Sequence, residues 1–453
     1  MEKFNIDGKI FGVFGLGITG ISSYEYLTKH GKEVFCWDDN EQNRIRFKLK
    51  HADAKVLDIS ENSWNLVDYA VVSPGVPRSH KIFSLAKKLN FNITSDIELF
   101  LKQCRDKNII AVTGTNGKST TVSLIYHILK NSNQNYLLGG NIGKPVLSLP
   151  KDADGYILEL SSFQLDLLHE LSPTASILLN ISEDHLDRYS SYEEYKKSKY
   201  KILQNDGLKV IGIDNDNLSV YFKKIKQRLG NDGKFLPISG RGNIKKPKEK
   251  GIICNEGQII DSFFDDTSLP MKNNPHLLGK HNNENIAAAY AICRFLGLKP
   301  TTILTHISTF QSLDHRMQYL GEKRGVKYYN DSKGTNTNST SQALSSFDNI
   351  YWLAGGVFKE KNIKAIEKYL PRIKKAYLFG RDADIIAQHL GDKINYELFD
   401  DMSKAFNKAK IDAEKRVDSS GNIILLSPTC ASTDQFKNFE DRGDQFKHLY
   451  EKA

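Results

Sequence analysis

Short apolar runs alternate with helix-period segments along most of the chain, and the alternation falls into three blocks. The first opens with Lys9-Ile10-Phe11-Gly12-Val13-Phe14 and continues through Val34-Phe35-Cys36-Trp37 and Tyr69-Ala70-Val71-Val72. The second opens with Ile109-Ile110-Ala111-Val112 and closes in a helical segment at 285–296. The third begins after Leu313 and carries Tyr351-Trp352-Leu353-Ala354, Ala376-Tyr377-Leu378-Phe379 and Ile423-Ile424-Leu425-Leu426. Apolar runs without internal alternation, each followed by a stripe at helical spacing, predict buried parallel strands joined by crossover helices. The expected class is α/β, with breaks near 94–97 and near 312. Between 230 and 275 the periodicity is poor and Gly, Asn and Lys are frequent.

Length agrees with three units, since 453 residues at roughly 150 per domain make about three. No apolar run approaches the ~18 residues of a membrane span. The N-terminus carries acids and runs straight into a strand, so no signal peptide is visible and a cytoplasmic protein is expected. Five cysteines without C-x-x-C spacing argue against a disulfide framework and a zinc ribbon. The net charge of +9 is ambiguous: nucleic acid, anionic small molecules or a Lys-rich background would each account for it. The run Lys245-Lys246-Pro247-Lys248-Glu249-Lys250 reads as a solvated loop, because it has a proline and no aromatic interleaving.

Two glycine-rich turns carry chemistry. Gly15-Leu16-Gly17-Ile18-Thr19-Gly20 follows a strand and precedes helical spacing at Ile21, Tyr24 and Leu27. Such glycines let backbone N–H groups approach a pyrophosphate, and Asp38, at the end of the next strand, is placed to meet a ribose hydroxyl. A purely structural tight turn is the alternative. Thr113-Gly114-Thr115-Asn116-Gly117-Lys118-Ser119-Thr120 lies between a strand and a helix whose buried stripe is Val122, Ile125, Tyr126 and Leu129. There the helix N-terminus and backbone N–H groups cradle phosphate, Lys118 reaches the outer phosphates, and Ser119 offers a hydroxyl to magnesium. The loop is a shortened relative of G-x-x-x-x-G-K-[ST], since Val112 stands where that form has its first glycine.

Acids and imidazoles follow at strand ends. Glu159 ends Tyr156-Ile157-Leu158, where magnesium or an attacking water is organised after a phosphate loop. Glu183-Asp184-His185-Leu186-Asp187-Arg188 follows the strand 176–179. His281-Asn282-Asn283-Glu284-Asn285 precedes an amphipathic stretch, so one Asn is also a candidate N-cap. His315-Arg316, Asn330-Asp331-Ser332-Lys333-Gly334-Thr335, Gly355-Gly356 with Lys359, and Ser427-Pro428-Thr429-Cys430-Ala431-Ser432 complete the set. Polar turns beyond strand carboxyl ends are where open α/β sheets bind ligands.

In order and spacing these motifs resemble the Mur ligases over nearly the whole chain. The ending from Ser427 to Gly443, together with Ser73-Pro74-Gly75, is similar to the D-glutamate-adding branch, and the D-N-P-R signature of diamino-acid-adding relatives is absent. The resemblance implies a Rossmann-like N-terminal domain (1–95) for a UDP-linked substrate and a central P-loop ATPase-like domain (96–312). A Rossmann-like C-terminal domain (313–453) would bind the amino acid. It implies an ATP-dependent, ADP-forming amide ligase of peptidoglycan precursor synthesis, joining D-glutamate to UDP-N-acetylmuramoyl-L-alanine through an acyl phosphate. The partners are small molecules, with no nucleic acid, no membrane insertion and a monomeric chain. UDP would be held by Ile18, Thr19, Asp38, Asp39, Ser73 and Gly75, with Asn141 nearby. ATP would lie on Thr115, Asn116, Gly117, Lys118, Ser119, Thr120 and Thr121, with Asn282, Asn285, Arg316 and Asp331. Magnesium would use Ser119, Glu159 and His185, and Lys199 would bridge to it as a carbamylated lysine. Lys118, His185, Lys199, Arg316 and Lys333 would be catalytic, and D-glutamate would meet Thr335, Lys359, Ser432 and Phe439. Asp39 and Asn40 stand where the resemblance leads one to expect Thr-Arg. Another amino-acid donor, or a folyl-polyglutamate-type ligase, is the alternative; a nicotinamide oxidoreductase or nucleic-acid-dependent ATPase accounts for fewer motifs.

Overall fold

The computed structural model describes residues 8–184, 188–229, 234–242, 250–360, 362–415 and 421–453, with 228 and 229 as backbone only. Three sheets follow one another along the chain. The first has five parallel strands in the order Lys55–Val56, Glu33–Trp37, Ile10–Phe14, Tyr69–Val72, Asn92–Thr94. The chain starts in the middle and winds outward both ways, so the strand order reverses between Ile10–Phe14 and Tyr69–Val72. The glycine turn and the Ser73–Gly75 turn sit side by side at that switch point. Phe11 and Val13 pack into one layer with Leu27, while Phe14, Ala70 and Val72 pack into the other with Trp64. Burial on both faces is what the unbroken apolar runs required.

Among the described residues the central sheet has nine strands. The strand Asn108–Thr113, which feeds the phosphate loop, is flanked by Ala175–Leu178 and Gly155–Glu159, both parallel to it. The helix Lys118–Asn131 packs on it through Val122, Ile125, Ile128 and Leu129, all fully buried, whereas Tyr126 is only half-buried. Burying one such aliphatic side chain is worth about 1.5–3 kcal/mol, enough to anchor a helix whose N-terminus has no side-chain cap.

The stretch of poor periodicity between 230 and 275 carries four short strands among the described residues. Phe235–Ser239 and Ile252–Asn255 extend the sheet in parallel, and Gln258–Asp261 and Thr267–Pro270 add an antiparallel meander at its edge. Asn255 pairs with Gln258 across Glu256 (φ 50) and Gly257 (φ 71), the two left-handed residues of a tight hairpin. The strands are short, and alternation over four residues is too brief to stand out. Of the Lys245–Lys250 run, only Lys250 falls among the described residues.

The third sheet has six strands, with Gln318–Lys323 antiparallel at one edge and the others parallel. Trp352 is fully buried at its centre. Among the described residues no helix is long and apolar enough to cross a membrane.

Candidate active site

The phosphate loop is pinned to the neighbouring strand end before any ligand is present. Thr115 N donates to Asn180 O at 2.9 Å, and Asn116 N donates to Asn180 Oδ1 at 2.9 Å. Thr115 Oγ1 accepts from Ser182 N at 3.0 Å and meets Tyr195 Oη at 2.9 Å. Gly117 has φ 83, and a Cβ there would stand 2.3 Å from Asn285 Oδ1. A side chain at this position would be both strained and blocked. The uncapped helix N-terminus behind it presents free N–H groups and a positive dipole end to an anion.

Two lysines converge on a single oxygen. Lys118 Nζ donates to Gly114 O at 2.8 Å and Thr115 O at 2.9 Å, and Lys199 Nζ donates to Gly114 O at 2.9 Å. Lys199 is 2 % exposed, on a helix Tyr192–Tyr200 whose Tyr195 ring lies 5.0 Å from its Nζ. Burial, then the nearby Lys118, pushes its amine well below the ordinary lysine range. Lys118 is lowered by burial too, partly offset by Glu159 and Asp184. Beside them runs a chain of oxygens. Ser119 Oγ donates to Glu159 Oε2 at 2.5 Å, and Glu159 Oε1 accepts from Asn141 Nδ2 at 2.9 Å.

This donor set suits magnesium, which takes hard oxygens, one or two carboxylates and the substrate's phosphates. No group of three His, Cys, Asp or Glu is gathered for a metal among the described residues. His185 lies outside the described residues.

Asn282 and Asn285 are not N-caps. The helix Lys280–Phe295 begins earlier than its apolar stripe suggested, with Gly279 at the cap, and both asparagines are buried inside it. Asn285 Oδ1 accepts from Thr121 Oγ1 at 3.2 Å, and its Nδ2 donates to Asn282 Oδ1 at 2.9 Å. A cavity of about 110 Å³ opens beside them, lined by Asn116, Gly117, Thr120, Asn282 and Asn285. Its far wall comes from the third domain: Arg316, Asp331 and Lys333. Arg316 sits between His315 (φ 63) and Met317 (φ 46), two non-glycine residues in left-handed backbone, a strained turn that aims it inward. Burial raises the Asp331 carboxyl to about 7, although Ser427 Oγ donates to it at 2.8 Å. Burial and the Arg316 charge lower Lys333 to about 8.

A second, larger cleft of about 1010 Å³ lies between the first and central sheets. Ile18, Thr19, Asp38, Asp39, Ser73, Gly75 and Asn141 all line it, and so do Arg316, Lys333 and Phe439. Ile18 is 79 % exposed, an apolar side chain left uncovered at the mouth of a polar turn. Asp38 is already engaged: Oδ2 accepts from Leu16 N at 2.6 Å, and Oδ1 accepts from Asn40 N at 2.8 Å, so it braces the glycine turn. Gly15 closes that turn at φ 93, where a Cβ would stand 2.6 Å from Ser73 Oγ. Asp39 pairs with His80 Nε2 at 2.8 Å. Lys333 Nζ lies 3.7 Å from the centre of the Phe439 ring. Thr335, Lys359 and Ser432 line neither cavity, and Lys359 is exposed.

Three residues carry structure that the sequence reading did not assign. Arg442 is fully buried and donates to Ser332 O, Gly355 O and Cys430 O, knitting together three turns of the third domain. Arg188 crosses to the first domain. Glu284 is buried, with Oε2 accepting from Asn180 Nδ2 at 3.2 Å and Oε1 without a hydrogen-bond partner among the described residues. Burial, then Asp214, raises its carboxyl to about 8. An acid whose folded value lies above its unfolded one holds a proton that the unfolded chain has lost. Stability contributed this way is full below the unfolded value near 4 and drains as pH rises toward about 8, by at most about 1.4 kcal/mol per pH unit. Glu284→Gln is therefore expected to raise Tm relative to the parent at pH 8.5 and change it little at pH 5. An equal shift at both pH values would show the proton to be irrelevant.

The comparisons with known proteins cover the same three parts. The chain matches the Mur ligase MurD-like N-terminal domain over residues 9–95, the Mur ligase middle domain over 112–293, and the Mur ligase glutamate ligase domain over 315–430. It is 45% identical over 442 residues to the UDP-N-acetylmuramoylalanine–D-glutamate ligase of Rickettsia bellii, covering 97% of this chain and 96% of that one. The enzyme of that name from Wolbachia pipientis is 37% identical, at 97% and 96% coverage. Among solved structures, a pseudomurein peptide ligase from Methanothermus fervidus has a TM-score of 0.58 at 16% identity, covering 98% of this chain and 100% of that one. UDP-N-acetylmuramate-alanine ligase from Thermotoga maritima also scores 0.58 at 16% identity, with coverage of 98% and 99%, and both share the three-domain fold. The phosphate loop, the two cavities meeting at Arg316 and Lys333, and relatives matched end to end agree: this chain belongs to the Mur ligase family, in its D-glutamate-adding branch.

Proposed function

We infer that this protein is an ATP-dependent, ADP-forming ligase that joins D-glutamate to UDP-N-acetylmuramoyl-L-alanine in peptidoglycan precursor synthesis. The carboxylate of the muramoyl-alanine attacks the γ-phosphate of ATP, giving an acyl phosphate and ADP. The D-glutamate amine then attacks the acyl carbonyl, forming the amide and releasing phosphate. One observation carries the reading: Arg316 and Lys333 line both cavities, so two cations stand where a nucleotide in the smaller one would meet an acid in the larger.

That junction is where charge is hardest to accommodate. Two like unit charges at ~4 Å repel by about 4 kcal/mol at an effective dielectric near 20. Lys118, Arg316 and Lys333 offset this and stabilise the transferring charge. Magnesium held by Ser119 and Glu159, with His185 of the segment outside the described residues, supplies further charge neutralisation when bound.

Residues 1–95 bind the UDP end through Ile18, Thr19, Asp38, Asp39, Ser73 and Gly75, with Asn141 from the central domain. Residues 96–312 bind ATP. Residues 313–453 bring D-glutamate to Thr335, Lys359, Ser432 and Phe439. Only Phe439 of these lines the cleft, so the assignment implies movement of the third domain during the cycle. We place the reaction in the cytoplasm, on a monomer.

Lys199 suits carbamylation. Two ammonium groups on one carbonyl oxygen repel, and the one with the more depressed pKa carries the larger neutral, nucleophilic fraction. Its nitrogen forms a bond to the carbon of CO2, one N–H proton leaves to solvent, and the product carries a negative charge beside Lys118. Repulsion thereby becomes attraction.

Amine-donor profiling tests the substrate assignment. With ATP and UDP-N-acetylmuramoyl-L-alanine present, phosphate release is expected with D-glutamate and not with L-lysine, diaminopimelate or L-alanine. Release with L-lysine alone would overturn the donor while leaving the fold intact.

A further inference from the structure

Two arginines cross the boundary between the first and central domains in opposite directions. Arg188, after the strand Ala175–Leu178, donates from Nη1 to Gly75 O at 2.8 Å and from Nη2 to Pro74 O at 2.5 Å and Val76 O at 2.7 Å. Its guanidinium lies 3.9 Å from the centre of the Phe163 ring. Arg78, just beyond the same turn, donates back to Asp166 O at the end of the helix Ser162–Leu167 and lies 5.1 Å from the Phe83 ring. That receiving end is itself fixed, because Lys201 Nζ donates to Asp166 O at 3.1 Å and Tyr189 Oη donates to Asp166 Oδ2 at 2.8 Å.

Pro74, Gly75, Val76 and Phe163 all line the 1010 Å³ cleft, whereas Arg188 stands behind that wall. A planar fork with five donors can serve three successive carbonyls while stacking on a ring, which a lysine cannot do. Three carbonyl oxygens, each a negative dipole end, are thereby turned to a cation at the edge of a cleft read as taking an anionic diphosphate.

We propose that Arg188 and Arg78 form a reciprocal latch that fixes the Ser73–Val76 turn against the central domain and so sets the shape of the substrate cleft. The proposal rests on the reading of that cleft as the UDP-substrate site. Arg188 is a positioning residue, acting through the turn. Because the two arginines hold one turn from both sides, losing either frees it, and their effects should not multiply.

Calorimetric binding of UDP-N-acetylmuramoyl-L-alanine and of ATP to the full chain tests the latch. Arg188→Ala is expected to weaken the UDP substrate about tenfold or more, the scale of lost charge-assisted hydrogen bonds, with ATP binding within about twofold. Arg188→Lys should recover little. Arg78→Ala, an exposed change with little risk to folding, should weaken the same ligand, and the double variant should bind about as weakly as the weaker single. Unchanged UDP-substrate binding, equal loss of both ligands, or multiplying effects would each overturn the latch. Absence of UDP-substrate binding to the unaltered chain would instead overturn the reading of the cleft, and the latch with it.

Discussion

Lys118→Met is expected to lower ATP-dependent phosphate release by about a thousandfold or more while leaving the nucleotide-free protein nearly as stable as before. The two effects separate because the lysine is poorly placed without a ligand. Its ammonium is half-buried, lowered by desolvation, and among the described residues hydrogen-bonded to the loop carbonyls Gly114 O and Thr115 O. A partly desolvated cation hydrogen-bonded to carbonyls carries a cost that Glu159 and Asp184 offset only in part, and an apolar chain of similar length relieves that cost as it gives up two hydrogen bonds. With ATP present the balance is expected to reverse, since the proposed site sets an outer phosphate against this cation. Thermal denaturation with and without magnesium-ATP measures both. The parent should gain about 2.7 kcal/mol of stability at ATP concentrations a hundredfold above Kd. The variant should gain almost none. A variant that retains the ATP-induced shift, or that loses many degrees without nucleotide, would make Lys118 a structural residue.

Which parts of this site were legible in the chain follows from where the signal lives. The phosphate loop was visible because its chemistry is contiguous: glycine for the left-handed turn, lysine, serine and a helix stripe all fall within a few residues. Arg316 and Lys333 were visible as polar turns after strands, yet that they face two cavities at once depends on how the third domain meets the central one. Arg188 ends the Glu183–Arg188 motif, but the carbonyls it serves lie more than a hundred residues earlier, and no side-chain pattern records a backbone acceptor. Glu284 looked like one polar residue among asparagines before a helix. Its enclosure comes from the helix starting at Lys280, so that the polar run is the first buried turn and not a cap. The edge meander was lost for another reason, because strands of four residues carry too little alternation to oppose a glycine- and lysine-rich background.

Asp38 marks the opposite limit. Its distance from the glycine turn predicts an acid facing a ribose, and it does line the cleft. Both carboxylate oxygens are nevertheless occupied, by Leu16 N and Asn40 N, so its first task is to hold the glycine turn. Spacing gave the neighbourhood of the residue; the hydrogen bonds give its work.

Removal of Lys199 should be as damaging as removal of Lys118, for a different physical reason. Lys199→Ala deletes a buried amine that shares Gly114 O with Lys118, so the nucleotide-free protein loses a repulsion along with a hydrogen bond. If that amine were merely a second phosphate-binding cation, some activity would survive through Lys118, and arginine would substitute in part. If it carries a carbamate, Lys199→Ala and Lys199→Arg are both expected to fall by about a thousandfold, because an anion is lost and arginine cannot supply one. Carbon-13 spectroscopy of protein equilibrated with labelled bicarbonate should show a carbamate resonance that is absent from both variants. The pH dependence has a definite sign. Burial and Lys118 depress the amine, so its neutral form persists, and carbamate forms, at lower pH than an exposed lysine allows. Acid protonates the amine and releases CO2, so resonance and activity should vanish together as pH falls. In protein stripped of CO2 the same depression means that the unfolded chain binds the extra proton. Stability should then climb as pH rises from the folded value toward that of an ordinary lysine. A fully active Lys199→Arg variant, or a carbamate signal that survives its substitution, would leave Lys199 as a cation holding the phosphate loop.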